Sequence, residues 1–80
     1  MIEKYEDLLK SVLKPIISDM DDFRIESSIE NTLISLNIRA SKQDKALIIG
    51  KGGKMISAIR TILLVSAVRD RVGINLKVID

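Results

Sequence analysis

Three of the chain's four glycines, Gly50, Gly52 and Gly53, lie within four consecutive positions of an 80-residue sequence. They sit inside "LIIGKGGKMISAI", between two aliphatic segments with helical spacing. Glycine is favoured where the backbone takes a positive φ or where another group must approach the main chain closely. The stretch predicts a tight, open bend joining two helices, and the rest of the fold has to accommodate it. Eighty residues are enough for a single domain, expected here over 1–80. Such a chain buries only about 60–65% of the surface its unfolded form exposes, so its core is small.

Before the bend, Ile2, Tyr5, Leu9, Val12, Leu13 and Ile16 recur at spacings of three and four. That is one face of a helix, expected over about 2–19. Pro15 interrupts it, so the helix either kinks there or stops before a short turn. "SDMDD" at 18–22 closes the segment with turn-forming acids. Phe23, Ile25 and Ile29 then alternate imperfectly with polar residues. Ile34, Leu36, Ile38 and Ala40 alternate cleanly with Ser35, Asn37 and Arg39. Period two predicts two strands, each with one buried face, joined by a turn at "ENT", 30–32. Ser41 is a cap for a short helix running to about Ile49. A second helix is expected from Lys54 to Arg71, with Gly73 ending it. "INLKVID" supplies a last strand through Ile74, Leu76 and Val78.

The order is α-β-β-α-α-β. A right-handed crossover lays the last strand parallel to the one at 33–40. The expected fold is therefore α+β: a three-stranded mixed sheet, that strand in the middle, and three helices on one face.

Charge is unevenly placed. Residues 1–31 carry eight acids against four bases, and residues 32–80 carry nine bases against three acids. From Arg39 to Arg60 there are six bases and a single acid, Asp44. Basic residues clustered around a glycine bend point to a polyanion; the plainer alternative is a solvated, lysine-rich face. The N-terminus of the helix after the bend carries unpaired N–H groups and partial positive charge, which favour an anion. Lys51 would sit at the tip and Lys54 in the first turn, where the helix dipole disfavours a base unless a phosphate visits. A bend needing glycine only for its geometry would be served by two glycines; the third and the two lysines are surplus to that.

Other chemistry is poorly supported. There is no cysteine and no histidine, which removes disulfides, cysteine zinc sites and the usual neutral-pH general base. Asp19, Asp21 and Asp22 read as a capped turn rather than a metal site. No enzyme activity, cofactor, metal or small-molecule substrate is expected. A nucleotide P-loop would need Gly and Ser/Thr where Ile48 and Met55 stand. A dinucleotide fingerprint would follow a strand, not a helix. No apolar run approaches the roughly 18–20 residues that span a bilayer, and "MIEKYEDLLK" has no signal-peptide pattern. A cytoplasmic protein with no membrane partner is expected.

"IIGKGGKMISAI" resembles the K-homology (KH) signature I-G-x-x-G-x-x-I-x-x-I through Ile49, Gly50, Gly53, Ile56 and Ile59. The element order resembles the type II KH fold. Over nearly its whole length the chain is similar to the small stand-alone bacterial KH proteins of the KhpA type, in "VLKP" before an acidic turn, "AIRT" at 58–61 and "GINLKVID". The resemblance implies a single-stranded RNA-binding protein acting as an RNA chaperone or post-transcriptional regulator. Its GxxG loop, 50–53, would clamp about four nucleotides of backbone. Carried over residue by residue, Gly50, Lys51, Gly52 and Gly53 would hold phosphates, beside the Lys54 read above as RNA-binding. Ile48, Ile49 and Ile56 are candidates for the wall of an apolar groove, with some of them in the core instead, and Ile38 and Arg39 are candidates to contact base or sugar. Gly52 stands where the family commonly has a polar or basic side chain. Weak, salt-sensitive, low-specificity binding is therefore expected, with a salt slope of about 0.7 per phosphate neutralised.

In the helix after the bend, Met55, Ile56, Ile59, Ile62, Leu63 and Ala67 form a stripe for the sheet. Thr61, Leu64, Val65 and Val68 form a second stripe on the other side. It either packs under the N-terminal helix or forms an interface. A dimer interface at these residues would enlarge a small core and pair two RNA clamps. The resemblance implies self-association, pairing with a larger KH-containing protein of the KhpB (Jag) kind, or both. In the alternative reading the chain is chiefly an interaction module that docks such a partner or the ribosome, with RNA contact secondary.

Overall fold

In the computed structural model, which describes residues 1–79, the period-two alternation becomes a sheet with one covered face. β1 (Arg24–Glu30), β2 (Leu33–Arg39) and β3 (Gly73–Val78) lie in the order β1-β2-β3. β1 and β2 are antiparallel, with Ile25 opposite Ile38 and Ile29 opposite Ile34. β2 and β3 are parallel, with Ile34, Leu36 and Ile38 beside Ile74, Leu76 and Val78. Successive side chains point to opposite faces, so these apolar residues share one face. The other face carries Glu26, Ser28, Ser35, Asn37, Arg39, Asn75 and Lys77. The hairpin needs only Asn31 and Thr32, and Asn31 takes φ 56°, a conformation asparagine tolerates better than most residues.

The covered face meets α1 (Ile2–Leu13), α2 (Lys42–Ile49) and α3 (Lys54–Asp70). α1 contributes Tyr5, Leu9 and Leu13, and α3 contributes Ile59, Leu63 and Ala67. These i, i+4 rows join Ile34, Leu36, Ile38, Ile48 and Leu76 in one core. Each fully buried Leu or Ile contributes about 1.5–3 kcal/mol relative to exposure. Tyr5 also ties the start of α1 to the end of α3. Its hydroxyl donates to Asp70 Oδ2 at 2.6 Å, and Lys4 Nζ donates to the same oxygen at 2.7 Å. Lys4 and then Tyr5 hold the Asp70 carboxyl below the usual carboxylate range, while burial, then Asp70, pushes the Tyr5 hydroxyl up.

The α-β-β-α-α-β order, the central β2 and the parallel β3 agree with the fold read from the sequence. Two helix ends differ. α1 stops at Leu13, not near residue 19: beyond it lies Pro15, which has no N–H to continue the ladder. The N–H groups of Ile16 and Ile17 both turn back to the Leu13 carbonyl, at 2.8 and 3.0 Å. α3 is ended by Arg71 rather than Gly73. Arg71 takes φ 59°, ψ 43°, its N–H donates to Val68 O, and Val72 N–H donates to Ala67 O. This is the Schellman arrangement with arginine where glycine is usual. Gly73 instead begins β3, with its N–H on Thr32 O at 2.7 Å. A Cβ there would lie 3.2 Å from Leu33 Cδ1. Among the described residues, no helix is long and apolar enough to cross a membrane.

Candidate nucleic-acid interface

α2 starts at Ser41, whose Oγ accepts from Asp44 N–H at 3.1 Å. It ends at Gly50, whose N–H donates to Ala46 O at 2.9 Å. Gly50 has φ 75° and ψ 174°, a region essentially reserved for glycine. A Cβ at Gly50 would stand 2.7 Å from Met55 Cβ and 2.9 Å from Met55 N. The chain then closes one tight turn, with Gly53 N–H on Gly50 O at 3.2 Å. Gly52 and Gly53 are both left-handed, at φ 63° and 78°. The third glycine is thus no surplus: all three serve the bend.

A Cβ at Gly52 or Gly53 would meet nothing within 4 Å among the described residues beyond its chain neighbours, so the tip is open there. Gly53 is the N-cap of α3 and no side chain caps that end. The partial positive charge of a 17-residue helix therefore faces outward beside the exposed Lys51 and Lys54. An anion brought to this tip would meet main-chain N–H groups and two ammonium groups without displacing a side chain.

The expected apolar wall is only partly at the surface. Ile49 is 40% exposed and Ile56 half-buried. Ile48 and Ile38 are fully buried; they support the site from the core and offer no surface to a base. Ile38 and Arg39 cannot line one groove, because neighbours on a strand face opposite ways. Ile38 points to the helices. Arg39 emerges on the open face of the sheet, where its Nε donates to Glu26 at 2.9 Å.

Met55 and Ile62, expected in the stripe that faces the sheet, are instead exposed, at 41% and 44%, and Leu47 beside the bend, not singled out from the sequence, is 53% exposed. On α2, 3.6 residues per turn put Leu47 on the flank of the inward pair Asp44 and Ile48, so spacing alone does not fix its exposure. Arg60 closes the basic run that begins at Arg39. Its Nη2 donates to Leu76 O at 3.4 Å. Gly73 and Ile79 direct their N–H groups at β2, so the alternate residue Leu76 has its carbonyl on the outer edge of β3, and Arg60 places a guanidinium along that edge.

On α3, Thr61, Leu64, Val65 and Val68 are all exposed, Val65 at 69% and Val68 at 76%. α1 does not cover them. It packs on another flank, where Tyr5 reaches Asp70.

A family model described as the KhpA/KhpB KH domain matches residues 6–79. The chain is 29% identical over 75 residues to the RNA-binding protein KhpA of Listeria monocytogenes, covering 94% of this chain and 99% of that protein. It is 28% identical over 75 residues to the RNA-binding protein KhpA of Bacillus subtilis, covering 94% and 93%. With the RNA-binding protein KhpA of Chlamydia pneumoniae it shares 29% over 75 residues, covering 94% and 96%. No solved structure matches.

Proposed function

Because the chain belongs to the KhpA/KhpB KH-domain family, we propose that it binds single-stranded RNA by seating the sugar–phosphate backbone on the bend at Gly50–Gly53. The observation that carries this reading is the uncovered tip: three glycines, an uncapped helix start and two exposed lysines. Main-chain N–H groups and ammonium groups recognise phosphate without reading sequence. Ile49, Met55 and Ile56 flank the bend and offer bases an aliphatic surface. Aromatic stacking is not the main contribution, since Tyr5 is fully buried and Phe23 nearly so. One copy therefore grips about four nucleotides weakly.

A dimer through Thr61, Leu64, Val65 and Val68 would place two such grips on one strand and raise avidity. That is the behaviour suited to an RNA chaperone or post-transcriptional regulator. The same uncovered stripe favours a second reading, in which a KhpB-like KH protein docks there and RNA contact is secondary.

Titration with short unpaired oligoribonucleotides at low ionic strength tests the first reading. The amide resonances of residues 50–54 should move, and the shifts should shrink as salt is added. If those resonances stay still, the bend is not the RNA grip.

A further inference from the structure

Asp44 has no exposed surface, and burying a carboxylate is strongly unfavourable unless its oxygens are satisfied. Here they are. Ser18 N–H donates to both oxygens, at 3.2 and 3.1 Å, Ser18 Oγ donates at 2.8 Å, and Asp19 N–H donates at 3.0 Å. All these donors belong to the crossing from α1 to β1, distant in sequence from the first turn of α2. The carboxylate therefore clamps two segments together.

The helix it clamps is short. α2 is eight residues long, and its buried residues are Asp44 and Ile48. A helix this short is marginal without tertiary anchors. Ile48 provides burial, which is non-directional. Asp44 provides directed hydrogen bonds, which fix rotation and height. Gly50 follows Asp44 by six residues, about 9 Å along the helix axis. Any tilt of α2 at its first turn is carried to the bend.

We propose that Asp44 is a positioning residue for the glycine bend: by gripping Ser18 and Asp19 it holds α2, and with it Gly50–Gly53, in the geometry that receives a phosphate backbone. The consequence for RNA rests on the functional reading above; the effect on the bend does not. The arrangement separates two duties. The apolar core stabilises the whole domain, while one buried anion sets where the loop stands. Local opening of α2 is then governed by Asp44 independently of global unfolding.

Residue-resolved hydrogen exchange on the parent, Asp44→Asn and Ser18→Ala tests this. Ser18→Ala removes one donor at an exposed position, so it reports on the clamp even if Asp44→Asn fails to fold. In each folded variant, exchange over residues 45–53 should accelerate by roughly tenfold to a hundredfold, the range for losing a hydrogen bond to a charged group. Amides of β2 and α3 should keep their protection. A uniform rise over all elements, or no rise over 45–53, overturns the proposal. Titration with a short oligouridine is the second arm. Weaker binding by the variants supports the positioning role, and unchanged binding despite a loosened α2 overturns it. If the parent itself does not bind oligouridine, the functional reading fails, and the exchange pattern alone decides whether Asp44 positions the bend.

Discussion

At Gly50 the backbone occupies a region closed to most residues, and Met55 Cβ stands 2.7 Å from where a side chain would begin. Gly50→Ala should therefore cost about 3 kcal/mol or more, through strain and collision together, read from urea denaturation. Gly52 is also left-handed but faces open space, and aspartate is among the residues that tolerate that conformation. The double change Lys51→Asp with Gly52→Asp should lower stability by only about 1–2 kcal/mol. It puts two negative charges where phosphates are proposed to lie. Fluorescence anisotropy with a labelled oligoribonucleotide should show binding abolished; binding that survives would show the grip to be elsewhere. The glycine cluster was legible because three positive φ angles are a local demand, written at the residues that meet it.

Among the elements, α3 is the one whose surroundings the sequence left open. Ile59, Leu63 and Ala67 face inward as their spacing requires, whereas Met55 and Ile62, expected in the same stripe, are exposed. Its outward row is exposed among the described residues, a fact visible only once α1 is seen on the flank of Asp70. Val65 and Val68 are so exposed that a charge there should not disturb the core. Val65→Glu with Val68→Glu should keep thermal stability within about 1 kcal/mol of the parent. Sedimentation velocity should show the parent as a dimer and the variant as a monomer. A parent that stays monomeric at high concentration would remove the self-association proposed for this stripe. The end of α3 was misread for a different reason. Arg71 occupies the left-handed position through two hydrogen bonds to Val68 and Ala67, and no preference of arginine announces that.

For the molecule as a whole, Asp44 and Asp70 are carboxylates that link distant parts of the chain and are made more acidic by doing so. Asp44 is held below its usual pKa mainly by Asp19 N–H and the Ser18 hydroxyl, and Asp70 mainly by Lys4. Both are more acidic folded than unfolded. Their contribution to stability is complete above the ordinary carboxylate range and is lost as pH falls below about 4. The urea midpoint should therefore drop between about pH 5 and pH 2. Asp44→Asn, if it folds, should be less stable at neutral pH and show a shallower acid limb. An acid limb as steep as the parent's would mean that Asp44 does not titrate with folding. Neither carboxylate could be assigned its partner from the sequence, since Ser18 and Asp44, or Lys4 and Asp70, are brought together only by the packing of helices.

Near-neighbour chemistry was sufficient for the strand alternation, the Ser41 cap, the glycine bend and the parallel placement of β3, because each depends on residues a few positions apart or on the handedness of a crossover. Which aliphatic residues around the bend are core and which are surface was decided by the tertiary structure. So was the burial of Asp44. Burial belongs to the meeting of elements, and a strand or helix does not carry in its own pattern the identity of the surface it will meet.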